Sequence, residues 1–465
     1  MKTRYKVLIV LAAVVGLLGA AGMVTLVILS QDEAPPDDSD LRVERADVPD
    51  EQNGYWYFKR MSESLDMPEE TSESEEAGEQ AERPAGRALV YAILDGKAWD
   101  AAFVEDLWQR NQQAIQLLDL GLACGQVQAP ALTIDSEIPE VSTFLDLARL
   151  LELHAMLLLK EGKHEAALDE AMRLVRFGHR IEGCKGGLVH YLVGAMVKGI
   201  GLGRLRAMVS ETTLAPDVLV ACARRLGDCR ANEQGSADGL RVEYEMLIQV
   251  LEDVKAGKYS LREIMSFDGS RRPGSPPPPF LFHPNETRRL FVEAYRLMLE
   301  SVPLPYAEMK PKLDSIPDPR VTALDWRTWL KGNSVGVRLY GILMPATKSF
   351  LAQTCQEDVE LAATRTLIAL KAFKAEKGRL PETLDELVPE YLDAVPLDDF
   401  DGKPLRYSAE KKVLYSVGKD LVDAGGMTKE AQKTWWSKEN PSWDYQEYGE
   451  PDMWQMPDPS FAIEF

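Results

Sequence analysis

The chain has 465 residues, 45% of them hydrophobic, with 74 acidic against 53 basic side chains and a formal charge of −21. That much apolar material builds a sizeable core. So acidic a chain repels phosphate, which excludes nucleic acid as a partner and disfavours anionic lipid surfaces. Five cysteines with no CxxC spacing exclude a zinc knuckle or a dithiol redox motif.

Lys2, Arg4 and Lys6 precede a stretch from Val7 to Leu29 whose only polar side chain is Thr25. As a helix rising about 1.5 Å per residue it spans roughly 35 Å, enough for a hydrocarbon core of about 30 Å. Gly19-Ala20-Ala21 resembles a signal-peptidase site, but the apolar run continues to Leu29, past the roughly 7–15 residues of a cleaved segment. Residues 1–30 are therefore expected to be an uncleaved transmembrane signal anchor, with residues 7–29 in the membrane. The basic tail stays in the cytoplasm, which makes the chain a single-pass protein of the cytoplasmic (inner) membrane with its bulk periplasmic.

Residues 31–86 hold 18 Asp and Glu against 5 Lys and Arg. Such a segment buries too little apolar surface to offset chain entropy and is expected to be a disordered acidic tether. One island interrupts it: Tyr55-Trp56-Tyr57-Phe58 puts four aromatics in a row, a local docking element.

From residue 87 to 345 the pattern predicts a helical body. Phe144, Leu147, Ala148, Leu151, Ala155, Leu158 and Leu159 recur at helical spacing, Glu161-Gly162-Lys163 turns the chain, and a helix opening at His164 packs back. This hairpin resembles a single tetratricopeptide-type unit, but no second copy follows at a fixed period, so an irregular helical body is expected. Gly187 to Leu202 is strongly apolar yet short and interrupted by His190 and Lys198, the mark of a core helix. Its Gly199–Gly203 run lacks the strand before it that a nucleotide loop needs. Cys222 and Cys229, seven apart on a predicted helix, are too far separated for an intrahelical disulfide and read as buried thiols. At 267–285 a proline-rich arm breaks the helices, its Phe280-Leu281-Phe282 end demanding burial. Asn285-Glu286-Thr287 reads as a helix N-cap ahead of a glycosylation acceptor.

Gly332-Asn333-Ser334-Val335-Gly336 fits a hydrolase nucleophile elbow, but no histidine follows it; the last is His283. Asn333 or Ser334 reads instead as a helix cap. His154, His164, His179, His190 and His283 form no HExxH. No catalytic residue is assigned.

Residues 346–465 change texture. After a long helix, about Val335 to Glu376, Gly378-Arg379-Leu380-Pro381 stops it, Leu384, Leu387, Val388 and Leu392 make a short amphipathic helix, and Leu405–Ser408 with Lys412–Gly418 reads as a β-hairpin. The fold class expected is thus mainly α: an anchor, an irregular body of helix hairpins, and a small α+β head.

The ordered series Gly378-Arg379-Leu380-Pro381, Leu387-Val388-Pro389, Tyr391-Leu392, Gly402-Lys403-Pro404-Leu405, Tyr415-Ser416-Val417-Gly418-Lys419-Asp420 and Gly425-Gly426 resembles the globular head of the type II secretion major pseudopilin, over about residues 350–460. The layout as a whole resembles a class of membrane-anchored proteins from planctomycete-type bacteria, a likeness that brings no biochemical activity with it. A pseudopilin starts with a short leader, a Gly cleavage site and a Phe-x-x-x-x-Glu helix; Met1–Leu29 has neither site nor glutamate, so pilus assembly is not expected. The resemblance implies a calcium ion on Asp420, Asp423 and Asp452, with backbone carbonyls near Leu414 and Ser416. The function expected is non-enzymatic binding or scaffolding with an unidentified envelope protein as partner. The alternatives are an exported hydrolase, for which a polar pocket gathering His154, His179 or His190 with carboxylates would speak, and an accessory subunit of a secretion system.

Overall fold

The computed structural model describes residues 17, 20–69, 85–258, 276–317, 332–441 and 452–465. Most of the expected span, residues 7–16, 18 and 19, lies outside them, as do 70–84 of the tether, 267–275 of the proline-rich arm and 442–451 of the head. Among the described residues no helix is long and apolar enough to cross a membrane. Residues 20–29 are helical, and Met23, Val24, Leu26, Val27 and Ile28 stand 48–69% exposed along them.

The chain is mainly helical, as expected. Its helices are α1 (Gly54–Ser64), α2 (Gly86–Leu94), α3 (Ala101–Arg110), α4 (Gln112–Ala123), α5 (Glu140–Lys160), α6 (His164–Glu182), α7 (Gly187–Glu211), α8 (Pro216–Gly227), α9 (Glu233–Lys255), α10 (Pro284–Ser301), α11 (Tyr306–Ser315), α12 (Ser334–Lys377) and α13 (Lys429–Glu439). The predicted hairpin is α5 and α6, turning at Glu161–Lys163.

Helices α6 and α7 form a wall with a core on each side. Leu174, Phe177, Ile181, Val193 and Val197 face the core built with α1 to α5. Ala171, Val175, Tyr191, Leu202 and Leu205 face the larger core, shared with α8 to α12 and the head. The two helices touch at Gly178 and Gly194: a Cβ on Gly178 would lie 2.4 Å from the Gly194 carbonyl, closer than any side-chain carbon sits. This crossing brings Lys198 of α7 beside Glu182 of α6. Gly201 packs against Val175 and the Ala171 carbonyl in the same way, whereas a Cβ on Gly199 would meet nothing within 4 Å, so of the glycine run it is Gly201 that serves helix packing.

Helix α12 runs from Ser334 to Lys377 and stops at Gly378, whose φ of 72° suits glycine, where the sequence predicts the stop. The head carries β1 (Leu397–Asp398) paired with β2 (Lys403–Pro404), and the expected hairpin, β3 (Arg406–Ser408) with β4 (Val413–Tyr415). The C-terminal strand β5 (Ser460–Ala462) adds to β4, giving the order β3-β4-β5. Residues 384–392, expected as a short helix, form one 3-10 turn, Leu384–Leu387. Cys229 lies two residues beyond α8 rather than on it, and all five thiols are free.

Residues 32–66, expected as disordered tether apart from a docking element at Tyr55–Phe58, are laid along the body as a strap. Asp32 accepts the backbone N–H groups of Asn285 and Glu286 at 2.9 and 3.1 Å, capping α10 from some 250 residues away. The cap is thus not Asn285, which lies inside the first turn. Glu33, Asp38 and Asp40 pair with Arg289, Arg288 and Arg296 of the same helix. Leu41 is fully buried in the larger core, and Tyr55, Phe58 and Met61 of α1 fill the smaller one. The composition that read as repulsive finds an arginine ladder on α10.

Candidate functional site

Three arrangements of polar side chains carry chemistry in the body. The first is buried. Lys198 is 0% exposed and its ammonium sits 2.8 Å from Glu182, contacts Glu357 of α12, and donates to the Cys229 carbonyl at 3.2 Å. The Tyr191 hydroxyl donates to Glu357. One cation thus serves two carboxylates and ties α6, α7 and α12 together. The only sign of this in the sequence was a lysine within an apolar run; its acceptors are remote.

The second joins α1, α5 and α7. The Tyr55 phenol donates to Glu140 at 2.7 Å and lies 2.7 Å from His190 Nε2, which therefore donates to the phenol oxygen. Burial lowers the His190 pKa, so the ring stays neutral. Of the other histidines, His154 stacks on Trp108 and lies 3.5 Å from Glu170, and His283 sits 2.9 Å from Glu286 and 2.8 Å from the Leu29 carbonyl. Ser334 is buried at the start of α12 and its hydroxyl has no hydrogen-bond partner among the described residues, so the Gly332–Gly336 pattern serves the turn into a helix and builds no charge relay with His283.

The third is open. Between the strap and the loop after α4 lie two adjoining cavities of about 330 and 520 Å³, both lined by Ala46, Gly125 and Gln126. Their walls are stitched reciprocally. Ala46 N–H donates to Gln128 Oε1 and Gln128 Nε2 to the Ala46 carbonyl, while Asn53 and Gln128 exchange another pair of bonds. The smaller cavity is lined by His179, Arg180, Lys185 and Asn232 and by no acid. The larger is lined by Asp47, Glu51, Tyr57, Leu120 and Cys124 and by no base. Burial lowers the Arg180 pKa, with Arg176 adding to the effect and the Cys124 thiol opposing it. Arg180 donates to the Cys124 carbonyl, but its Nε is buried without an acceptor, as is His179 Nδ1, 3.5 Å from Glu182. The Asn232 side-chain oxygen caps α9 by accepting from Gly235. Nothing in the local sequence pairs residues 46–52 with 124–128, so this groove was not legible there.

In the head, the three acids expected to bind calcium spend oxygens locally. Asp420 accepts from Val422 N–H, Asp423 from Gly425 N–H and the Tyr415 hydroxyl, and Asp452 from Trp454 N–H. Burial raises the pKa of Asp458, with Asp423 and Asp420 adding to it; this nearby acid the sequence reading missed, and it accepts from Ala424 and Gly426. Among the described residues no three His, Cys, Asp or Glu side chains come together so as to hold a metal ion.

Set against protein-family models, curated proteins and solved structures, the chain matches none of them.

Proposed function

We propose that this is a binding or scaffolding protein held in the cytoplasmic membrane through residues 7–29, with its body on the periplasmic side and an envelope protein or its fragment as partner. The observation that carries the reading is the junction at Leu29. A helix with exposed apolar side chains ends there, and its last carbonyl is taken by His283 while the next acid, Asp32, caps α10. A bilayer is the medium that suits such side chains, and the clasp would set the body at a fixed orientation to it. Protease added to intact spheroplasts, with membrane fractionation, tests this: the body is cut from outside, and deleting residues 1–29 moves the chain to the soluble fraction. A full-length chain shielded from external protease, or a mature chain beginning near Ala21, overturns it.

His179 beside Glu182 at the wall of a polar cavity is the feature that favours a hydrolase as second reading. Peptide or ester turnover abolished by His179→Ala would establish it. Calcium at Asp420, Asp423 and Asp452 forms no part of the leading reading; a higher melting temperature in calcium, lost in Asp420→Ala, would bring it in.

A further inference from the structure

The groove beneath the strap has opposite charges at its two ends. One cavity presents His179, Arg180 and Lys185 with no carboxylate, in a chain of net charge −21; the adjoining one presents Asp47 and Glu51 with no base. Ala46, Gly125 and Gln126 line both, and Leu120, 52% exposed, offers an apolar surface on the acidic side. Together the cavities fall in the range of about 300–1,000 Å³ typical of ligand sites.

His179 and Arg180 belong to the last turn of α6, where cations complement the helix dipole, and that alone would account for their charge. It does not account for Lys185, three residues beyond the helix. Nor does it account for the Asn232 amide on the same wall, whose Nδ2 donates to nothing among the described residues while its oxygen caps α9. A ligand oxyanion would accept from that amide. The reciprocal bonds between Gln128, Ala46 and Asn53 hold the groove in shape without a ligand, which lowers the ordering cost of binding.

We infer that the groove binds a short peptide with free termini, its carboxylate among His179, Arg180, Lys185 and Asn232 and its ammonium toward Asp47 and Glu51, with an apolar side chain against Leu120. This rests on the reading of the body as a binding module and names the class of ligand that reading leaves open.

Titration calorimetry of the full chain in detergent, with Ala-Leu-Ala as probe, tests the inference. The free tripeptide binds saturably, and amidating its C-terminus or acetylating its N-terminus weakens binding at least about tenfold in each case. Asn232→Asp retains an oxygen to cap α9, because Asp caps as well as Asn, but replaces a donor by a negative charge. It lowers affinity for the free peptide by about tenfold or more with the melting temperature unchanged. Asp47→Asn with Glu51→Gln abolishes the discrimination against the acetylated probe and keeps that against the amide. No saturable binding up to about 10 mM, or equal affinity for free and capped peptides, overturns the inference. Anchorage is read by fractionation and peptide binding by calorimetry, so either can fail while the other stands.

Discussion

Lys198 is completely buried, and among the described residues its ammonium is held by Glu182, Glu357 and one carbonyl. Removing it leaves two carboxylates in the interior around a vacated site. Breaking a buried ion pair costs about 3–5 kcal/mol, so Lys198→Met is expected to lose that much in urea denaturation. Adding Glu182→Gln and Glu357→Gln recovers part of the loss, because neutral groups need no counter-charge. A triple variant no more stable than the single one would count against this account. Asp399 lies at the other extreme. Burial, and then Asp358, raise its pKa to about 6. Below the carboxyl's unfolded pKa both states are protonated; as pH rises through the folded value the unfolded chain gains, and stability is lost. Asp399→Asn should therefore stabilise the protein at pH 7.5 by about 2 kcal/mol, with no gain near pH 4, in melts at the two pH values. The sequence displayed Lys198 and His190 as polar breaks in an apolar run, enough to call the helix a core helix. It did not display their partners, which come from α5, α6 and α12 and from Tyr55 of the strap.

At the scale of elements, helix ends were legible where the stop is local and obscure where it is borrowed. Gly378 ends α12 because glycine tolerates its φ of 72°, and a glycine before Leu-Pro is visible in the sequence. The start of α10 is capped by Asp32, which no window around Asn285 contains. The acids at the start of residues 31–86 were read as disordered tether, whereas Glu33, Asp38 and Asp40 pair with Arg289, Arg288 and Arg296. The clasp also carries a titrating group. Burial acts to lower the His283 pKa, but Glu286 and the Leu29 carbonyl outweigh it and raise it. A raised histidine contributes its stability fully below its unfolded pKa of about 6.5 and loses it as pH climbs through the folded value. Hydrogen exchange across residues 30–41 should therefore accelerate above neutral pH by more than the intrinsic chemistry accounts for. His283→Gln, which carries no charge, removes the excess; an equal pH dependence in both proteins would show that the clasp does not sense this proton.

For the molecule as a whole, the consequence is where the folded unit begins. A composition-based boundary puts the soluble part at about residue 87, after the acidic stretch. In the structure, α1 lies on the far side of that boundary and supplies Tyr55, Phe58 and Met61 to the smaller core, while Leu41 is sealed into the larger one. Full burial of such side chains is worth about 1.5–3 kcal/mol each, so the four together reach on the order of 6–12 kcal/mol. A domain's entire stability is about 5–15 kcal/mol. A chain beginning at residue 87 would also leave α10 uncapped and Asn53 and Ala46 missing from the walls of the groove. Calorimetric melting of residues 30–465 should give a cooperative transition, whereas residues 87–465 should show a broad, low-temperature transition or none. If the shorter fragment melts as sharply and as high as the longer, the strap is an appendage rather than part of the fold. If it does not, residues 32–66 are part of the fold, and the helix that ends at Leu29 is joined to the body by the bonds that His283 and Asp32 make there.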